Sequence, residues 1–216
     1  KMNDTIELET DKKTFAFDVY NGSMSFLNGC QIASEMIRAG KYRTAMIVTS
    51  EVEINKDVYP DILMGIAETG SAMILEAEGQ SRQGFSRFVF RYDCDLLDRR
   101  RLTGGYVDGK PCLTIEEDEN ILDLYLQMIP GTVEDILEQE GLDISQVGIV
   151  LPPQISPKMN KQLPNLLGIE PHRVVDLAIE GRDLYTSTLP FSIEHARRTG
   201  QIKPGDIGLI ISVASG

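Results

Sequence analysis

The 216 residues carry 33 acidic and 21 basic side chains, a formal charge of −12, with 42% hydrophobic and 25% charged residues. This is the balance of a globular chain; it argues against nucleic acid as a partner, since phosphate binding wants a basic face, and no apolar run reaches the roughly 18 residues of a membrane-spanning helix. Three cysteines, Cys30, Cys94 and Cys112, lack metal-ligand spacing and read as reduced thiols of a cytoplasmic protein with no metal site.

The chain opens at Lys1 rather than at a Met, as expected of a segment of a longer protein. Phe15–Tyr20 is short, apolar and strand-like, and Gly22 breaks it. From Ser23 to Ala39 the residues Phe26, Leu27, Ile32, Ala33, Met36 and Ile37 recur at helical spacing, and Gly40 stops the helix. Thr44–Val52 and Ser71–Glu76 read as strands. Gly84–Pro111, rich in Arg, Asp and Gly, reads as a long excursion between core elements. Thr114–Glu140 reads as an amphipathic helix interrupted at Pro130-Gly131. Strands are then expected at Val147–Leu151, Val174–Asp176 and Ile207–Val213, with helices at Pro157–Leu167 and Thr186–Thr199. Alternating helices and continuously apolar strands predict an α/β protein with a largely parallel sheet covered on both faces. Two stretches, Ser23–Ser50 and Thr186–Val213, share the order helix, glycine (Gly40, Gly200), short basic connector, strand; they read as an internal duplication.

The sharpest local signal is Asp18-Val19-Tyr20-Asn21-Gly22-Ser23-Met24-Ser25. A turn at Gly22 followed by Ser23 at a helix start lifts a hydroxyl into the open, where the helix N-terminus favours negative charge. The same pattern fits a serine that merely caps the helix. His172 and His195 fall outside strand-end loops and read as surface or packing residues, so a Ser-His-Asp hydrolase is weakly supported. Cys30, two turns beyond Ser23, either lies near the site or is a small buried hydrophobe. Arg99-Arg100-Arg101 and Arg197-Arg198 read as solvated surface. There is no phosphate loop, no G-x-G-x-x-G and no CxxC pair to anchor a nucleotide or metal.

Phe17-Asp18-Val19-Tyr20-Asn21-Gly22-Ser23-Met24-Ser25-Phe26-Leu27-Asn28-Gly29 resembles the nucleophile segment of the ketoacyl-ACP synthase III family, closest to its branch of head-to-head condensing enzymes. Ile66–Ala72 is similar to the family's glycine-rich stretch before a core strand. Leu151-Pro152-Pro153-Gln154-Ile155-Ser156 stands where the family has Pro-His-Gln-Ala-Asn. The run from Gly200 to Gly216 is similar to the family's C-terminus. The resemblance implies a thiolase-like fold, with duplicated α/β halves in an α-β-α-β-α layering. The first half would be incomplete: residues 1–113 would form its remainder with the nucleophile position, and 114–216 the C-terminal half. Ser23 would replace the acyl-carrying cysteine, Pro153 the histidine, and Asp183, counted back from Pro190, the asparagine. The implied substrates are acyl-CoA or acyl-ACP thioesters, with no bound cofactor. The implied partners are an acyl carrier protein, which Arg99–Arg101 would dock, and a second subunit, in a homodimer or a heterodimer with a related ketosynthase. Pro153 offers no side-chain donor, and an ionised Asp183 would repel a developing enolate, so decarboxylative condensation is expected to be severely impaired. Three roles stay open: acyl transfer through Ser23, non-catalytic support of an active partner, and hydrolysis of an acyl-Ser23 ester.

Overall fold

The computed structural model describes residues 14–56, 58, 60, 65–77, 83–179 and 182–214. Helix α1 (Ser25–Arg38) buries Phe26, Cys30 and Ala33, one residue per turn along one face. Gly40 (φ 68°) ends it, and the Gly40 and Lys41 N–H groups close onto the Ile37 and Met36 carbonyls. The chain turns into β1 (Thr44–Glu51), which pairs antiparallel with β2 (Thr69–Glu76), Met46 facing Ile74 and Val48 facing Ala72. One face of this ribbon, with Ile47 and Met73, packs on α1. The other leaves Met46 57%, Val48 40% and Ile74 61% exposed.

Three expectations for the middle of the chain are corrected here. The stretch from Phe15 to Tyr20 forms no strand, and Phe15 and Phe17 stay exposed. The supposed excursion over Gly84–Pro111 holds a strand and most of a hairpin: β3 (Arg100–Val107) pairs antiparallel with β4 (Lys110–Glu117) through Asp108-Gly109. Both turn residues have positive φ, 50° and 76°, as a two-residue hairpin turn matched to strand twist requires. Thr114–Glu117 is therefore strand, and helix α2 begins only at Ile121. It runs unbroken to Glu140 through Pro130. An interior proline costs about 3 kcal/mol; the burial of Ile121, Tyr125, Leu126, Ile129 and Val133 on the same helix outweighs it.

The C-terminal part holds β5 (Val147–Leu151), α3 (Pro157–Leu167), α4 (Thr188–Thr199) and β6 (Ile207–Ile210). Strands β5 and β6 pair in parallel, and the strand expected at Val174–Asp176 is reduced to a bridge from Val174 to Val150. The helix expected from Thr186 starts at Thr188, after a 3-10 turn over Tyr185–Ser187. Only β5–β6 is parallel among the described ladders; the β1–β2 and β3–β4 pairs, each between strands consecutive in the chain, are antiparallel.

Two apolar clusters show the layering. Val147, Val150, Leu209 and Ile211 meet Tyr125, Ile129 and Val133 of α2 and Met159 and Leu163 of α3. On the opposite face Ile149 and Leu151 meet Phe26 and Cys30 of α1 and Leu189 and Ala196 of α4, and Ile47 and Met73 of the β1–β2 ribbon close that cluster from beyond the helices. The order is thus α2/α3, β5–β6, α1/α4, β1–β2: four successive layers among the described residues. The exposed face of β1–β2 lies where a fifth layer of helices would sit. Gly200 (φ 71°), which ends α4, repeats the left-handed geometry of Gly40 after α1.

Candidate acyl site

Gly22 (φ 54°) makes the turn that the sequence predicts. The Met24 and Ser25 amides close onto Asn21 and Gly22 carbonyls, both at 3.1 Å. Ser25 locks this turn: its hydroxyl donates to the Gly22 carbonyl and accepts from the Asn21 N–H, each at 2.7 Å. Asn21 is held in turn by a 2.8 Å bond from its Nδ2 to Asn28 Oδ1. Ser23 takes no part in capping α1. Its Oγ instead donates to the Val213 carbonyl at 2.6 Å, across 190 residues of sequence, and so ties the start of α1 to the segment after β6.

Ser23 faces a small cleft whose walls include Phe26, Leu27, Leu151, Tyr185 and Leu189. Ile210, Ile211 and Ser212 form its back, and Thr186 and Thr188 add hydroxyls. Among the described residues, no histidine, carboxylate or lysine lines it.

Asp183 stands one step behind this wall. Its backbone bridges to the segment before β2, the Asp183 N–H donating to the Gly65 carbonyl at 2.7 Å and the Ala67 N–H to the Asp183 carbonyl at 2.8 Å. Its carboxylate accepts the Tyr185 N–H at 2.7 Å. Tyr185 is a non-glycine residue at φ 49°, so this bond braces a backbone geometry that side chains rarely adopt. Burial pushes the Asp183 carboxyl up to about 6; the Tyr185 N–H and the Arg100 charge oppose that rise, and Glu51 and Glu117 add to it. Glu51, at the end of β1, accepts a hydrogen bond from the Thr186 hydroxyl, and burial raises its carboxyl too.

Pro153 is buried at the end of β5 and lies outside the lining of the Ser23 cleft. The following Gln154, fully buried, organises the loop: its Nε2 donates to the Pro152 and Val175 carbonyls, and its Oε1 accepts from Asn160 Nδ2 and from the Leu177 N–H. His172 lies exposed in a 3-10 turn and His195 sits on α4, both away from the cleft. Cys30 is completely buried, and burial pushes its thiol up to about 12, as for a core residue rather than a nucleophile. Each member of the Arg99–Arg101 run is ion-paired, with Asp118, Glu117 and Asp98 respectively. Arg197 and Arg198 both pair with Glu194.

The sequence reading missed Tyr185, Thr186 and Glu51 as neighbours of this site. Glu51 ends an apolar strand, which is a visible signal. The positive φ of Tyr185 carries no residue-type signature.

Residues 17–94 match the family description 3-oxoacyl-(acyl-carrier-protein) synthase III, and residues 137–216 match the description of that enzyme's C-terminal part. The chain belongs to the ketoacyl-ACP synthase III-like family of the thiolase superfamily. Among curated relatives, the β-ketoacyl-(acyl-carrier-protein) synthase III of Rickettsia bellii is 21% identical over 93% of this chain and 64% of its own length. That of Rickettsia felis is 22% identical with the same coverage. The chain thus spans less than two thirds of these relatives. Among solved structures, the synthase III of Thermus thermophilus superposes with a TM-score of 0.75 at 17% identity, over 94% of this chain and 65% of that one. OleA of Xanthomonas campestris, in a Cys-to-Ser variant with bound lauric acid and lauroyl-CoA, gives 0.74 at 18%, over 92% and 63%. The thiolase-like arrangement with an incomplete half follows from these superpositions.

Proposed function

We propose that this ketoacyl-ACP synthase III-like chain belongs to a protein that binds acyl-CoA or acyl-ACP thioesters without performing decarboxylative condensation, and that it serves an active ketosynthase partner as a non-catalytic homologue. The observation that carries this reading is the Ser23 hydroxyl. Its proton is committed to the Val213 carbonyl, and a main-chain carbonyl is not a base. A serine must lose that proton to attack a thioester, and no imidazole or carboxylate lines the cleft among the described residues. Pro153 supplies neither a proton acceptor nor a donor, and the Asp183 carboxylate is turned to a backbone N–H instead of the cleft. The apolar walls of Phe26, Leu27, Leu151 and Leu189 suit the acyl part of a thioester.

A second reading, acyl transfer through Ser23, draws on one specific observation: Ser23 lines the cleft at the start of α1, where helix N–H groups favour an oxyanion. The OleA neighbour with a Cys-to-Ser substitution carries lauroyl-CoA, an example of this fold holding such a thioester with serine in place of a cysteine. Intact-protein mass spectrometry after incubation with acyl-CoA esters from acetyl to lauroyl, and with the corresponding acyl-ACP, separates the two. The non-catalytic reading expects no adduct and no free acid, together with co-purification of a ketosynthase that keeps Cys, His and Asn. A stoichiometric acyl adduct that disappears in Ser23→Ala would replace it with the acyltransferase. Release of free acid sensitive to the same substitution would point to hydrolysis.

A further inference from the structure

The Ser23 cleft is lined by hydroxyls and carries no formal charge. Ser23, Tyr185, Thr186, Thr188 and Ser212 each bring one, and the other walls are apolar. They converge from separate parts of the fold: Ser23 from the turn before α1, Tyr185 and Thr186 from the 3-10 turn, Thr188 from the first residue of α4, and Ser212 from the segment after β6.

These hydroxyls differ in what they have left to offer. A hydroxyl has one proton to donate and two lone pairs that accept. Ser23 gives its proton to the Val213 carbonyl at 2.6 Å, so toward a ligand its Oγ can only accept. Thr186 gives its proton to Glu51 in the same way. The hydroxyls of Tyr185, Thr188 and Ser212 have no hydrogen-bond partner among the described residues, so their protons are free.

A ligand oxygen that carries its own proton answers both sides at once. It donates to Ser23 Oγ and accepts from one of the free hydroxyls. A ketone oxygen can only accept, and it meets the lone pairs of Ser23. A saturated chain displaces water and leaves the hydroxyls unmet, which is costly in a closed site. A carboxylate finds no cation among the described lining residues. Behind the wall stand Asp183 and Glu51, and the nearby Arg100 is paired with Glu117 at 3.0 Å, so a negative ligand is repelled rather than drawn in.

We propose that the cleft selects a short hydroxyacyl group, with Ser23 as the hydrogen-bond acceptor that determines this specificity. The inference rests on the reading that the cleft binds acyl thioesters, and adds which of them it prefers. The group is short because Phe26, Leu27, Leu151 and Leu189 close in on a small space. Ser23 is then a recognition residue, and no covalent step is needed for it to matter.

The test is isothermal titration of the full chain with 3-hydroxybutyryl-CoA, butyryl-CoA, acetoacetyl-CoA, malonyl-CoA and CoA itself. The expected result is that 3-hydroxybutyryl-CoA binds at least about 10-fold more tightly than each other ester, since a site built around a ligand hydroxyl rejects analogues without one. Ser23→Ala should cut its advantage over butyryl-CoA to under about 3-fold. Should that variant fail to fold, the ligand series on the wild type decides alone. Equal binding of the butyryl and hydroxybutyryl esters, or tighter binding of the acetoacetyl or malonyl ester, overturns the proposal and leaves thioester binding standing. A preference undiminished in folded Ser23→Ala overturns it as well. Binding of no ester, or of CoA as tightly as every ester, overturns the thioester reading and this selection with it.

Discussion

Replacing Asp183 by Asn removes a charge and leaves a hydrogen-bond acceptor in place, so it isolates what burial does to this carboxylate. The carboxyl is raised from 3.8 to about 6, mainly by desolvation. A carboxyl raised in the folded state contributes stability that is fully present below the unfolded value, near pH 3.8, and lost as pH rises through about 6. At 1.36 kcal/mol per pH unit, the gap corresponds to about 3 kcal/mol of destabilisation above pH 7. The amide oxygen of Asn keeps the bond from the Tyr185 N–H, which the wild type makes at 2.7 Å. Asp183→Asn should therefore match the wild type near pH 4 and exceed it by about 2–3 kcal/mol at pH 7.5, with the gain developing between those values. Urea unfolding at five pH values between 4 and 8 measures it. Asp183→Ala, which strands the Tyr185 N–H, should recover less of the gain, since an unmet buried donor costs about 1–3 kcal/mol. No gain for Asn at pH 7.5, or a gain that persists undiminished at pH 4, would refute the assignment of a desolvated, partly protonated carboxyl.

Gln154→Ala should lower stability by about 3 kcal/mol in thermal or urea unfolding, because it leaves the Val175 carbonyl, the Leu177 N–H and Asn160 short of partners in a buried loop; a loss under about 1 kcal/mol would show that the loop holds without it. Iodoacetamide at pH 8 should modify exposed Cys94 and spare buried Cys30 and Cys112 until the protein is unfolded, as read by peptide mass spectrometry. Rapid alkylation of Cys30 in the folded protein would contradict a thiol pushed up to about 12.

The elements that emerged as expected are those whose information is local. The α3 helix from Pro157 to Leu167 and the β5 strand Val147–Leu151 have the bounds read from periodicity. Gly40 and Gly200 stop their helices in the left-handed geometry that their residue type permits. The β3–β4 hairpin was hidden because Arg100-Arg101 and Gly104-Gly105 disguise a strand whose stability comes from its partner. Its turn signal, Asp108-Gly109, lies inside that polar stretch. Pro130 looked like a break because propensity is counted residue by residue, whereas the burial of a whole helical face decides the outcome.

By itself, the sequence determined the α/β class, the family resemblance and the turn at Gly22 that presents Ser23. All of these depend on residue type at short spacing. Only the tertiary structure decided what Ser23 touches, since its acceptor Val213 lies 190 residues away. It also showed Asp183 bracing Tyr185 behind the cleft wall. Those follow from how separate layers meet, and contacts between layers leave no periodic mark in the chain.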